Sequence, residues 1–273
     1  MNNRGFDTVF AGSVPELYDS HLVPLIFEPY AADLAGRVAA LDPARVLETA
    51  AGTGVVTRAM ARTLSTRVEL VATDLNQPML DRASAVGASR PVQWKQADAQ
   101  RLPFDDASFD VVVCQFGAMF FPDKPRAFSE ARRVLRRGGV LLFNVWDRIE
   151  ENEFADIVTK TLADIFPADP PRFMARTPHG YCDRQAISGD LASAGFGAVP
   201  GFETMAARSR AASALESAIA YCQGTPLRNE IEARSAAGLA GATSACAAAI
   251  AARFGAGPVD GKIQAHVVTA RNS

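Results

Sequence analysis

Hydrophobic and polar positions change period along the chain, and the changes divide it. Over 14–40 the apolar residues Leu17, Leu22, Leu25, Ile26, Tyr30, Leu34 and Val38 recur at roughly helical spacing. The spacing predicts a helical segment with an interruption at Pro24, which has no N–H to give the helix ladder. From 44 to 147 short apolar runs alternate with amphipathic stretches. Strands are predicted at 45–50, 68–75, 91–99, 109–116 and 139–146, and helices at about 55–64, 77–86 and 125–136. Pro78 fits the first turn of the second helix. The third begins after Pro122 and Asp123 and closes on Arg136, Arg137, Gly138 and Gly139, cations and glycines suited to a helix carboxyl end. Strands rich in Val and Leu, separated by helices, belong to a parallel sheet covered on both faces. Right-handed crossovers then give a doubly wound α/β layer.

Beyond Asp147 the pattern turns mostly helical. An amphipathic helix spans 152–166, carried by Phe154, Ile157, Val158, Leu162, Ile165 and Phe166. A proline-rich loop (167–181), a helix (183–194) ending at Gly195 and a weaker strand (198–207) follow. Residues 211–253 are alanine-rich, with two or three helices broken near Gly224-Thr225-Pro226, and the last strand is 262–270. No shift in composition marks a second domain. The expected organisation is one domain over 1–273, with a helical N-terminal cap (1–43), a core (44–147) and later helices with the last two strands (148–273).

Composition narrows the function classes. Of 273 residues, 48% are hydrophobic and 21% charged, which is ample for a large core and ordinary for a globular chain. A formal net charge of −2 gives no general attraction to nucleic acid or an anionic membrane. No apolar run approaches the ~20 residues of a membrane span. The opening M-N-N-R-G-F-D lacks the apolar core of a secretory signal. Cys114, Cys182, Cys222 and Cys246 are far apart and form no C-x-x-C, and His21, His179 and His266 show no ligand spacing. Neither a disulfide framework nor a metal site is expected, and a reducing cytoplasm is the expected compartment.

The chemistry concentrates around A-R-V-L-E-T-A-A-G-T-G-V-V-T-R-A-M-A-R, residues 44–62. It reads as a buried strand, a glycine turn and the start of a helix, a unit that lets backbone N–H groups approach a ligand. In doubly wound sheets ligands bind beyond the carboxyl ends of the strands. Three consecutive strands place an acid there: Glu48, Asp74 and Asp98. Any one alone reads best as a solvated loop residue or helix cap; three together are harder to dismiss. A carboxylate after the second strand can accept both hydroxyls of a ribose, and one after the third can accept an adenine amine. An acid beside the glycine turn can hold the network around a cationic amino-acid group. A nicotinamide dinucleotide site would use Gly52, Gly54 and Asp74 but needs glycine at 57, where the chain has Thr57. A phosphate-binding P-loop is excluded because no Gly-Lys-Ser/Thr follows the turn.

These residues resemble the class I S-adenosylmethionine-dependent methyltransferases of the small-molecule, ubiquinone-biosynthesis-like type. V-L-E-T-A-A-G-T-G (46–54) resembles the family's V-L-D-hydrophobic-G-C-G-T-G, with Glu48 at the acidic position, Gly52 and Gly54 as the last two glycines, and Ala50 replacing the first. V-A-T-D-L-N-Q-P-M-L (71–80) places the ribose acid on Asp74, an apolar adenine neighbour on Leu75 and the usual helix methionine on Met79. Q-A-D-A-Q-R-L-P-F-D-D-A-S-F-D (96–110) implies an adenine contact from Asp98 with the Ala99 backbone beside it. V-V-V-C-Q-F (111–116) implies that Gln115 lies against the methionine part of the ligand, and L-R-R-G-G (135–139) matches the turn into the fifth strand. The resemblance is specific over about 44–147. It implies a Rossmann-like seven-stranded sheet of order 3-2-1-4-5-7-6 with strand 7 antiparallel, S-adenosyl-L-methionine as cofactor, S-adenosyl-L-homocysteine as product, and a small organic acceptor.

The acceptor side is less marked. Tyr18, His21 and His179 are candidates for a base, needed only where an acceptor must lose a proton. As single residues Tyr18 reads first as helix packing, and His21 and His179 as exposed histidines. Phe116, Met119, Phe120 and Phe121 follow the fourth strand, where this family binds its acceptors, and suggest an apolar or aromatic wall that Tyr18, Phe166, Phe173 and Met174 could extend. Cys114, inside an apolar strand, reads as inert packing. The alanine-rich helices allow a monomer or a homodimer. Two rival functions are a cofactor-binding sensor or scaffold without methyl transfer and, disfavoured by Thr57, a nicotinamide oxidoreductase.

Overall fold

A computed structural model describes residues 14–234 and 238–273. From Val14 to Ala39 the chain is helical, as α1 (Val14–Leu17), a π-helical stretch (Tyr18–Phe27) and α2 (Glu28–Ala39). Pro24 lies inside the π-helical stretch. The interruption predicted at Pro24 is therefore a widening of the helix, which accommodates the hydrogen bond that proline cannot make. The chain continues through β1 (Arg45–Glu48), α3 (Val55–Thr63), β2 (Glu69–Asp74), α4 (Gln77–Val86), β3 (Gln93–Gln96), β4 (Phe109–Gln115), α5 (Lys124–Val134) and β5 (Leu135–Trp146). Then come α6 (Glu153–Ile165), α7 (Phe173–Arg176), α8 (Arg184–Ser193), β6 (Gly201–Ala211), α9 (Ala214–Gln223), α10 (Leu227–Arg234), α11 (Gly238–Phe254) and β7 (Val259–Arg271).

The seven strands form one sheet of order β3-β2-β1-β4-β5-β7-β6. The first five pair in parallel. β7 runs antiparallel to β5: the Gly138 N–H donates to the Asn272 carbonyl at 2.6 Å, and the Asp147 N–H, beyond the other end of β5, donates to the Gln264 carbonyl at 3.0 Å. Strand order reverses between β1 and β4, the position where such sheets open a ligand crevice.

Two boundaries differ from the sequence pattern for identifiable reasons. α5 is capped by the Asp123 carboxylate, which accepts the Arg126 N–H at 2.9 Å, but it ends at Val134 rather than 136. Arg136, Arg137, Gly138 and Gly139 belong to β5, because Asn272 bonds their backbone and Leu135 pairs with Phe109. Gly138 takes a φ of 80°, which glycine adopts without steric cost, where the register of β5 shifts. β6 and β7 also run longer than 198–207 and 262–270 suggest. β6 is an edge strand whose polar residues Glu203, Thr204, Arg208 and Arg210 blur its apolar signal.

The residues group into two compact units. One comprises 28–145, 181–205 and 265–273. Its core sets Leu34 and Val38 of α2 and Val56 and Met60 of α3 against Val46, Val111, Val113, Val140 and Leu142 of the sheet. Each fully buried side chain of this size contributes about 1.5–3 kcal/mol. The other unit comprises residues up to Phe27, 146–180 and 206–264. There α11 packs on α9 and α6, burying Ala242, Cys246 and Ile250, so its small face is used within the chain. The four cysteines are free thiols, and burial pushes Cys114 up to about 12, which leaves it inert. Among the described residues no single helix is long and apolar enough to cross a membrane.

Candidate functional site

The crevice side of the first unit is built from the ends of β1, β2 and β3. β1 ends on Glu48, whose side chain is buried and accepts a short hydrogen bond from the Thr57 hydroxyl on α3. The Thr73 hydroxyl on β2 donates to the Glu48 carbonyl at 3.0 Å. The turn after β1 visits the left-handed region three times, at Ala50 (φ 51°), Gly52 (56°) and Gly54 (84°). Gly54 is required twice over: its φ disfavours a side chain, and a Cβ there would lie 2.9 Å from the Trp94 ring of β3. Among the described residues no side chain caps the N-terminal end of α3. The Thr53 hydroxyl, between the two glycines, is buried without a hydrogen-bond partner among the described residues.

Ala50 stands where the resemblance has glycine. A Cβ on Gly117 would come within 2.4 Å of the Ala50 methyl. The methyl therefore lies against the bare Gly117 backbone just beyond β4, and Gly117 supplies the space that Ala50 uses.

Asp74 closes β2. One carboxylate oxygen accepts the Gly52 N–H and the other the Asn76 N–H, both at 2.8 Å. Asp74 thus pins the glycine turn from the neighbouring strand. Leu75 beside it is 51% exposed, an apolar surface at the mouth of a polar edge. Gln96 at the end of β3 donates to the Leu75 carbonyl at 2.8 Å, joining the ends of the two strands. Asp98 is exposed, accepts the Gln100 N–H at 2.8 Å and has Ala99 next to it. Met79 is buried on α4.

On the other side of the crevice β4 ends at Gln115, which is buried. Phe116 follows with a φ of 50°, an uncommon conformation for a bulky residue. Its N–H is held by Asn144 of β5, by the side-chain carbonyl at 3.0 Å and the backbone carbonyl at 3.2 Å, and its ring packs edge-on to Tyr30 at 5.2 Å. Phe120 lies partly exposed in a short 3-10 turn (Ala118–Phe120).

In the second unit an aromatic row runs from Tyr18 to Phe27 (5.2 Å between ring centroids), to Trp146 (6.0 Å) and to His179 (6.0 Å). His179 is buried, not exposed as a lone loop histidine suggests, because its ring packs on Trp146 and bonds the Asp147 carbonyl at 2.8 Å. Tyr18 and His179 thus join one cluster, whereas His21 does not: it bonds Ser20 at 2.7 Å and lines a separate cavity of about 280 Å³ with Pro24, Leu25, Arg210 and Glu216. Phe173 is buried elsewhere, where its N–H donates to Glu230 at 3.2 Å. Trp94 and Asn144 have no assignment in the sequence, and Thr57 enters there only as the residue standing where a dinucleotide site needs glycine. Asn144 carried a signal, a lone amide within the apolar run L-L-F-N-V-W.

Burial governs the electrostatics. It pushes Glu48 up to about 8, opposed by the Thr57 hydrogen bond and the nearby Arg58 charge. It also raises Asp74, opposed by the backbone N–H groups of Asn76 and Gly52. A carboxyl raised in the folded state holds a proton that the unfolded chain has already lost. Glu48 therefore contributes stability that is present below about pH 4.5 and lost as pH rises through about 8. Glu48→Gln, which mimics the protonated form, should raise the melting temperature relative to wild type by a few degrees at pH 9 and change it little at pH 5. Equal shifts at both pH values in thermal unfolding would contradict the buried, protonated Glu48.

Residues 47–143 match the methyltransferase domain family. Over 167 residues the chain is 35% identical to the ubiquinone/menaquinone biosynthesis C-methyltransferase UbiE of Burkholderia mallei, covering 57% of this chain and 68% of that relative. The chain belongs to the class I S-adenosylmethionine-dependent methyltransferase family. Another UbiE of this family, from Teredinibacter turnerae, is 32% identical over 165 residues; the match spans 56% of this chain and 66% of that relative, just under two thirds of its length. YcgJ of Bacillus subtilis shares the fold, with a TM-score of 0.55 at 18% identity over 89% of this chain and 98% of that one. The matched segment contains Glu48, the glycine turn, Asp74, Asp98 and Gln115. The aromatic row lies outside it.

Proposed function

We propose that the chain transfers the methyl group of S-adenosylmethionine to a small apolar or aromatic organic acceptor. The observation that carries this is the convergence of Glu48, Asp74 and Asp98 on one edge of the sheet, with Asp74 bonded to the Gly52 N–H of the glycine turn. The residues fit the cofactor. The buried Thr53 hydroxyl and the start of α3, neither with a side-chain partner among the described residues, suit the amino-acid end. The Asp74 carboxylate suits the ribose hydroxyls, the exposed Leu75 an adenine face, and Asp98 with the Ala99 backbone the adenine edge. Glu48 and Gln115 would complete the polar surroundings of the methionine part.

When bound, S-adenosylmethionine supplies a methyl already activated on a sulfonium, so the protein's task is positioning and exclusion of water. Asp74 fixes the glycine turn, and Asn144 fixes Phe116 at the acceptor side of the crevice. The UbiE relatives are named as C-methyltransferases of ubiquinone and menaquinone biosynthesis, which favours a planar ring acceptor here. The test is conversion of S-adenosylmethionine to S-adenosylhomocysteine in the presence of a library of phenols, quinols and small amines. Acceptor-dependent product is expected for at least one ring compound. Tight binding of both nucleosides without turnover of any acceptor would instead support a non-catalytic binding protein.

A further inference from the structure

The cavity beside His21 measures about 280 Å³, roughly nine water volumes. The π-helical stretch, the end of β6 and the first turn of α9 line it, and all its lining residues belong to the second unit. Its polar groups have fixed roles. The Ser20 hydroxyl lies 2.7 Å from the Glu16 carbonyl, which can only accept, so the one hydroxyl proton goes there. The contact of the same oxygen with His21 Nδ1, also 2.7 Å, then requires a proton on Nδ1 and leaves Nε2 of the neutral ring as an acceptor. Arg210 directs its Nε to the Asp260 carboxylate at 3.0 Å, and Arg208 donates to the same carboxylate at 2.6 Å. Two cations share one anion, so the trio carries a net positive charge. The Nη fork of Arg210 hydrogen-bonds nothing among the described residues. Glu216 accepts the Ala212 N–H on Oε2 at 3.1 Å, and its Oε1 has no hydrogen bond among the described residues.

The cavity therefore sets a forked cation, an anion and a neutral acceptor beside the apolar surfaces of Pro24 and Leu25. A simple anion would pair with Arg210 but face the Glu216 charge, and a simple cation would pair with Glu216 but face Arg210. A ligand with both charges close together satisfies both poles. We propose that the cavity binds a free amino acid with a small aliphatic side chain. Its carboxylate takes the two Nη donors of Arg210, the bidentate geometry that suits a guanidinium. Its ammonium gives one proton to Glu216 Oε1 and one to His21 Nε2 and keeps the third for water. Its side chain lies on Pro24 and Leu25. Arg210 is largely exposed, so its ion pair is screened and a dissociation constant of about 1 mM is expected. The site uses none of the residues proposed to hold S-adenosylmethionine.

The test is calorimetric titration of the full chain with L-valine, which should bind one-to-one. 3-Methylbutanoate lacks the ammonium and 2-methylpropylamine lacks the carboxylate; each should bind at least about tenfold more weakly, the scale of a lost hydrogen bond to a charged group. Arg210→Gln leaves Asp260 paired with Arg208, and Glu216→Gln keeps an acceptor for the Ala212 N–H, so both variants should fold. Each should weaken L-valine about tenfold. The wild-type series decides the matter even where a variant does not fold. Nitrogen-15 spectra should show the His21 Nε2 signal move on addition of L-valine, and saturating S-adenosylhomocysteine should leave the affinity for L-valine unchanged. No binding of L-valine at tens of millimolar overturns the proposal. Binding of either fragment as tight as L-valine overturns it too, by reducing the cavity to a site for a single charge. Binding that both variants leave unchanged, or that S-adenosylhomocysteine displaces, places the amino acid elsewhere in the chain. Failure of the methyl-transfer reading shows separately, as absence of binding by the sulfur nucleosides themselves.

Discussion

Asp74→Ala is expected to weaken binding of S-adenosylmethionine and S-adenosylhomocysteine by about 1–3 kcal/mol, roughly 5- to 150-fold. Two losses combine. The variant removes the carboxylate proposed to accept the ribose hydroxyls, and it frees the Gly52 and Asn76 N–H groups that this carboxylate now holds at 2.8 Å. The turn after β1, left-handed at Gly52 and Gly54 and strained at Ala50, loses the clamp that keeps it shaped for a ligand. Asp74→Asn keeps one carbonyl acceptor and should fall between wild type and Asp74→Ala. Calorimetric titration reads both; an affinity for Asp74→Ala equal to wild type would remove Asp74 from the ribose site.

Gly117→Ala should lower stability by about 1–3 kcal/mol, the usual scale of forcing a methyl into a packed site. Its Cβ would come to 2.4 Å from the Ala50 methyl and 2.8 Å from the Cys114 sulfur. Neither neighbour moves freely, since Ala50 is in a strained turn and Cys114 is buried within β4. The Ala50→Gly background removes one of the two clashes and places glycine at a φ of 51°, where it carries no Cβ penalty. Gly117→Ala should therefore cost less in Ala50→Gly than in wild type, with a coupling of about 0.5–3 kcal/mol in denaturant unfolding. Strict additivity would show that the two residues do not share this space.

The sequence carried much of the frame. Uninterrupted apolar runs marked the parallel strands because both faces of those strands are buried, and the acids at 48, 74 and 98 stood out because each ends such a run or closely follows it. The edge strand β6 was blurred, since an edge exposes polar residues and needs no clean apolar pattern. The start of β5 was misplaced for a different reason: Arg136–Gly139 have the chemistry of a helix end, and they are drawn into the sheet by Asn272, far along the chain, and by the pairing of Leu135 with Phe109. Thr57 was visible as a missing glycine but not as the partner of Glu48, because that bond depends on how α3 folds back over β1. His179 was furthest from reach. Its burial and its hydrogen bond come from Trp146 and Asp147, more than thirty residues earlier, and no local pattern encodes that meeting.

The central claim is that the glycine turn and its three acids form a site for S-adenosylmethionine. Calorimetric titration of the wild-type chain with S-adenosylmethionine, S-adenosylhomocysteine and NAD⁺ tests it most directly. The account predicts saturable one-to-one binding of both sulfur nucleosides and none of the dinucleotide; binding of NAD⁺ without either sulfur nucleoside would contradict it.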